Sequence, residues 1–184
     1  MAPRGYEITD ADLEACVGGT YPRTHAYMAE RASLPDLETV WAELSTELFA
    51  LIDAHLEPFA DALAAIEELQ ARGVRIAVAS SSVRERLDRT LARAGLQFEI
   101  TIAGDEVEHS KPAPDMFLLA AQRLGLPPER CAVVEDSGPG VAAGVAAGMP
   151  TLGVCRVPGT EASLAQADRV VHEVTAEAIL ALLL

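Results

Sequence analysis

From Pro58 onward the sequence switches at short intervals between two kinds of segment, and this alternation constrains the fold more than any other feature. Stretches with helical spacing (FADALAAIEELQARG, RERLDRTLARAG, PDMFLLAAQRLG, GVAAGVAAG) alternate with short β-branched runs (VRIAVAS, FEITIAG, CAVVED, TLGVC, DRVVHEV). Such an order predicts a parallel sheet with helices on both faces. The expectation is a doubly wound α/β core over residues 57–184, closed by a terminal helix. Half of the 184 residues are apolar, which suffices for one sizeable core.

Residues 1–56 have a different texture. TDADLEACV, RTHAYMAERA and DLETVWAELSTELFALIDAHL carry apolar residues three and four apart, divided by VGGTYP and SLP. This predicts a separate all-helical unit with Trp41 in its own core. Asp10 and Asp12 sit at a helix start and read as N-terminal charges.

In a doubly wound sheet, ligands collect where the carboxyl ends of strands open onto loops. Three such ends carry polar residues. RIAVAS ends in Ser80-Ser81-Ser82, and Ser82 with Glu85 matches a capping box, so the following helix is expected to offer N–H groups to an anion near Ser80. EITIAG leads through DEVEHS to Lys111, stiffened by Pro112 and Pro114. CAVVED ends in Glu135-Asp136, a like-charged pair that needs a cation or basic partner and suits a hard, oxygen-liganded ion such as Mg²⁺. A hydroxyl with a helix N-terminus, an ammonium and a carboxylate pair are the parts of phosphoryl chemistry, which is mostly positioning and charge neutralisation.

VASSS, SKPAPDMF and VVEDSGPGVAAGVAAGM resemble the second, third and fourth motifs of the haloacid dehalogenase superfamily, in the right order. The preceding helices are similar to the α-helical cap of its phosphoglycolate phosphatase and β-phosphoglucomutase-like branch. The resemblance implies a Rossmann-like core with a cap, and a Mg²⁺-dependent phosphatase acting on a small phosphorylated metabolite. By the same resemblance Ser80 binds the transferring phosphoryl group with the Ser81 backbone assisting, and Lys111 holds nucleophile and phosphate together. Asp136 then ligates Mg²⁺, with Glu135 supporting it directly or through water. Arg23, in GGTYPRTH beside Thr20, Tyr21 and His25, lies where the family's cap loop approaches substrate and is a candidate for a substrate anion. His109 lies near the site and is expected to be exposed. EPFADALAAI departs from the PGV-like turn often found at the return to the core.

The family's first motif, a strand ending in DxDG whose first Asp attacks phosphorus, is not among these residues. The missing strand would lie at the sheet's centre, between those carrying Ser80 and Asp136. Its loss forfeits on the order of 10 kcal/mol of burial and ladder bonds. The chain alone is therefore expected to be inactive, the result of a truncated gene model with a mis-assigned start codon rather than a stable pseudoenzyme. Those two strands are expected to remain unpaired across an apolar slot, with Ser80, Lys111, Glu135 and Asp136 gathered at one end. The alternatives are a non-catalytic relative that binds a phosphorylated ligand or protein, a sugar phosphomutase, and an unrelated flavodoxin-like or receiver-like module.

A net charge of −14 without clustered Lys and Arg argues against nucleic acid and is compatible with a monomer. No apolar run reaches about 18 residues, and the N-terminus lacks a signal-peptide pattern. Cys16, Cys131 and Cys155 form no CxxC pair and read as reduced thiols of a cytoplasmic protein.

Overall fold

In the computed structural model, residues 6–16 and 21–183 are described. The helical unit contains α1 (Asp10–Cys16), α2 (Tyr21–Ala29) and α3 (Leu37–His55), with no strand among its described residues. Asp36 starts α3 by accepting the Thr39 N–H at 3.0 Å. Asp12 is not a solvated terminal charge. It is 3% exposed and accepts from the Thr9 N–H (2.9 Å) and from the hydroxyls of Thr9 (2.7 Å), Tyr6 (2.9 Å) and Tyr27 (3.1 Å). Those bonds, led by Thr9's, hold its carboxyl down at about 2.

The core alternates as the sequence predicts: α4 (Ala60–Ala71), β1 (Ala77–Ala79), α5 (Arg84–Ala94), β2 (Ile100–Ile102), α6 (Asp115–Leu124), β3 (Val133–Glu135), α7 (Gly138–Ala146), β4 (Thr151–Val154), β5 (Arg169–Val171) and α8 (Ala176–Leu180). Gly95 and Gly125 end α5 and α6 at φ of 69° and 65°, a left-handed turn that residues with a Cβ adopt at a cost. All pairings are parallel, but the sheet is split: β2 pairs with β1, and β3 with β4 and then β5.

β1 and β3 share no ladder. Between them lies an apolar cavity of about 400 Å³, lined by Ala65, Leu69, Ala77, Phe117 and Val133 among others. Val134, at the middle of β3, is 41% exposed, whereas β4 is buried throughout. An inner parallel strand is ordinarily covered on both faces, so β3 has the burial of an edge. The expected slot is therefore present.

The helical unit docks on the core through charge and an aromatic ring. Arg89 forms a two-point ion pair with Asp53, its guanidinium lies 5.0 Å from the Phe49 ring, and Arg93 donates to the Asp53 carbonyl at 2.8 Å. No described helix is long and apolar enough to cross a membrane. All three cysteines are free thiols.

Candidate active site

The serine loop is shaped by the strand beside it. Ser80 donates its N–H to the Ile102 carbonyl at 2.9 Å, carrying the β1–β2 ladder one residue onward. Its Oγ accepts the Ser82 N–H at 3.2 Å, and the Gly104 N–H donates to the Ser82 carbonyl at 2.7 Å. A Cβ on Gly104 would overlap the Ser81 carbonyl, so this approach requires glycine. The expected capping box does not form. The N-cap of α5 is Val83, which puts Ser82 outside the helix and Arg86, not Glu85, at the third helical position. The Arg84 N–H is satisfied instead by Asp105, at 3.0 Å from the neighbouring loop.

Lys111 crosses the split. It is 5% exposed and follows β2 through the loop before α6; its peptide bond to Pro112 is cis. Its Nζ ion-pairs with Glu135 at the end of β3, approaches the Ala79 carbonyl at the end of β1 (3.4 Å), and lies 4.9 Å from the Phe117 ring. Both Glu135 oxygens are engaged: Oε1 by Lys111, and Oε2 by the Ser137 hydroxyl (2.9 Å) and N–H (3.3 Å). Ser137 also caps α7 by accepting the Gly140 N–H at 3.1 Å. A Cβ at Gly140 would occupy the Glu135 carboxylate's place.

Asp136 faces outward at the cavity mouth, yet is crowded enough that desolvation, and then the Glu135 charge, push its carboxyl above the ordinary range. A cation beside it would relieve both effects. The oxygen donors here therefore fit a hard divalent ion, and Asp136 is the carboxylate that could hold one, since Glu135 is committed to Lys111 and Ser137.

These residues open on a cavity of about 650 Å³ beneath the helical unit, lined by Ser80, Ser81, Lys111, Glu135 and Asp136. Arg23 is not brought to it. Tyr21 and Thr24, three apart on α2, share the face that lines the cavity, while Arg23 falls off that face and is exposed. The arginine that lines it is Arg86, which the sequence reading passed over; its place in the first turn of the helix after the serine loop was the available signal. Trp41 lines the cavity as well as packing within its unit, 4.8 Å from the Tyr21 ring and 6.1 Å from Phe49. The Tyr21 hydroxyl is buried and has no hydrogen-bond partner among the described residues. His25 bonds the Pro35 carbonyl at 2.8 Å, and exposed His109 pairs with Asp115 at 3.0 Å. Thr20 lies outside the described residues.

Three comparisons with known proteins agree on the family. The protein CbbY of Rhodobacter capsulatus is 39% identical over 123 residues, 64% of this chain and 53% of its own length. The fructose-1-phosphate phosphatase YqaB of Escherichia coli (strain K12) is 44% identical over 81 residues, 43% of each chain. The chain thus spans about half the length of these curated relatives. A haloacid dehalogenase family hydrolase of Deinococcus radiodurans R1, solved with bound phosphate and sodium, superposes with a TM-score of 0.69 at 34% identity, covering 97% of this chain and 81% of that one. The family model for haloacid dehalogenase-like hydrolases matches residues 11–148, which hold the serine loop, Lys111 and the Glu135–Asp136 pair, and the chain belongs to that family.

Proposed function

We propose that this chain is the larger part of a Mg²⁺-dependent phosphatase for a small phosphorylated sugar, completed by a strand from polypeptide N-terminal to Met1. One observation carries the reading: Lys111 spans the ends of β1 and β3 at one end of an apolar slot, beside Ser80 and Asp136. A parallel strand filling the slot would place its last residue at Lys111. An Asp there would attack phosphorus, breaking the bond to the sugar oxygen, which leaves as an alcohol after taking a proton from a second acid; water then releases inorganic phosphate from the aspartyl-phosphate. The Ser80 hydroxyl and Ser81 backbone hold the transferring oxygens, while Lys111 neutralises charge and orients the nucleophile. Asp136 would hold Mg²⁺, with Glu135 supporting it, and the metal would supply charge stabilisation during transfer. The relative that dephosphorylates fructose 1-phosphate supports a sugar phosphate as substrate, and free thiols suit a cytoplasmic setting.

The test compares the 184-residue chain with one extended upstream in frame. The extended chain is expected to carry four or five apolar residues followed by DxDG and to hydrolyse sugar phosphates only with Mg²⁺, while residues 1–184 bind phosphate without turnover. Turnover by residues 1–184 alone, or undiminished turnover in EDTA, would overturn the proposal. An upstream stop codon with no such strand would favour a non-catalytic phospho-ligand module.

A further inference from the structure

At the carboxyl ends of β4 and β5, outside the phosphate cavity, three side chains of different chemistry converge. The Cys155 sulfur, a Glu161 carboxylate oxygen and a His172 ring nitrogen all lie within 4.8 Å of one another. We propose that they form a second metal site, for a thiophilic divalent ion such as Zn²⁺.

The backbone builds this cluster. Cys155 donates its N–H to the Val171 carbonyl at 2.7 Å, extending the β4–β5 ladder so that Cys155 and His172 follow adjacent strand ends. A turn then brings Glu161 back: the Thr160 N–H reaches the Val157 carbonyl at 3.2 Å, and Gly159 takes a φ of 91°. Fully buried Leu164 anchors the short helical turn that follows, packing in one cluster with Cys155 and Val141. Cys155 is therefore fixed by the core, while Glu161 and His172 are exposed and can adjust.

The donor set selects the ion. Thiolate and imidazole favour zinc-like metals over Mg²⁺, and three protein ligands leave a fourth position for water. Tetrahedral zinc, with bonds of roughly 2.0–2.3 Å, separates its donors by about 3.3–3.8 Å. Closing on the ion thus asks the two exposed side chains to move by about 1 Å, within ordinary rotamer freedom. The metal-free thiol donates to the Val157 carbonyl at 3.1 Å, and binding exchanges that bond for the metal–sulfur bond as the proton leaves to solvent. An exposed carboxylate–imidazole pair contributes little by itself and does not account for a buried thiol converging on it.

The test titrates the EDTA-treated 184-residue chain with Co²⁺ under reducing conditions in excess Mg²⁺, which does not compete for sulfur. One equivalent should produce an intense near-ultraviolet thiolate-to-cobalt band that Zn²⁺ displaces. Cys155→Ser should abolish the band and Cys131→Ser should leave it. His172→Ala and Glu161→Gln, both surface changes that keep the fold, should weaken binding at least as much as loss of an outer-shell partner does, about 10–100-fold. Absence of the band, its persistence in Cys155→Ser, or equal affinity in His172→Ala and Glu161→Gln would each overturn the site. None of these readouts depends on phosphatase activity.

Discussion

The two halves of the split sheet share apolar packing but differ in how far ion pairs add to it. Around β1 and β2, the half with the serine loop, the ties are ionic: Glu106 accepts the Ala103 N–H at 2.9 Å and pairs with both Arg84 and Arg123. Arg84 also reaches the Thr101 hydroxyl at 2.8 Å and the Thr101 carbonyl at 3.1 Å. Around β4, Leu152 and Val154 pack on Ala65, Val174 and Ala178, and Val141 packs on Leu164, with these side chains all buried. The serine-loop half therefore adds an ionic network to its own apolar cluster of Ile102, Met116 and Ala120, whereas the half behind the carboxylate pair rests mainly on apolar area. Lys111 is the charge that spans them.

The largest expected effect comes from cutting that link. Lys111→Ala leaves the Glu135 carboxylate, 9% exposed, without its cation. Breaking a buried pair from one side costs about 3–5 kcal/mol. Urea unfolding should show that loss, and a cost below about 1 kcal/mol would mean that the halves do not need the bridge.

Acid should separate the halves next. The Ala103 N–H, followed by Arg84, holds the Glu106 carboxyl at about 2, below its ordinary 4.5. A depressed acid stabilises the fold above its unfolded value and loses that contribution as pH falls through the folded one. Because Glu106 is exposed and its ion pairs are screened by solvent, only a part of that shift reaches stability, and between pH 4.5 and 2 the β1–β2 half should lose about 1 kcal/mol. Hydrogen exchange read across that window should show Ile100–Ile102 losing protection before Thr151–Val154, and Glu106→Gln should flatten the dependence. Simultaneous loss in both strands would erase the distinction.

The smallest effect concerns Asp136. Burial and Glu135 raise its carboxyl above the usual range, so at neutral pH its ionised form opposes folding. Asp136→Asn should raise the metal-free Tm by roughly a few degrees and remove any rise produced by Mg²⁺. A lower Tm would show that the carboxylate is stabilised by the fold as it stands.

Strand order and the three strand-end clusters were legible because each depends on local spacing: β-branched runs for β1 to β5, and polar residues immediately after them. Even the slot could be expected, since the resemblance sets a further strand between those carrying Ser80 and Asp136. What stayed hidden depends on contacts between distant segments. Asp12 resembles a helix-start charge until Tyr27, 15 residues away, folds over it. The Ser82–Glu85 pattern is sound chemistry shifted by one residue, because Asp105 serves the Arg84 N–H from another loop. Arg23 and Arg86 are equivalent as letters, and only the rotation of α2 and the placement of α5 decide which one lines the cavity.

The return from the helical unit to the core has a mechanical consequence. Leu56 closes α3 by donating to the Ile52 carbonyl at 3.1 Å, and Phe59 begins α4. On the core side, Asp61 is held by Arg156 at 2.7 Å and by the Val174 N–H at 2.9 Å, and the Arg156 guanidinium lies 4.3 Å from the Phe59 ring. Leu56, Glu57 and Pro58 join these two anchored ends, and α3 would turn on that short pivot as a lever once the contacts of Asp53 with Arg89 and Arg93 open. Trp41 stands 15 residues up the lever arm from Leu56, roughly 22 Å along the helix axis. A swing of about 10° would carry its ring about 4 Å, so a small rotation at three residues would shift the Trp41 part of the cavity wall.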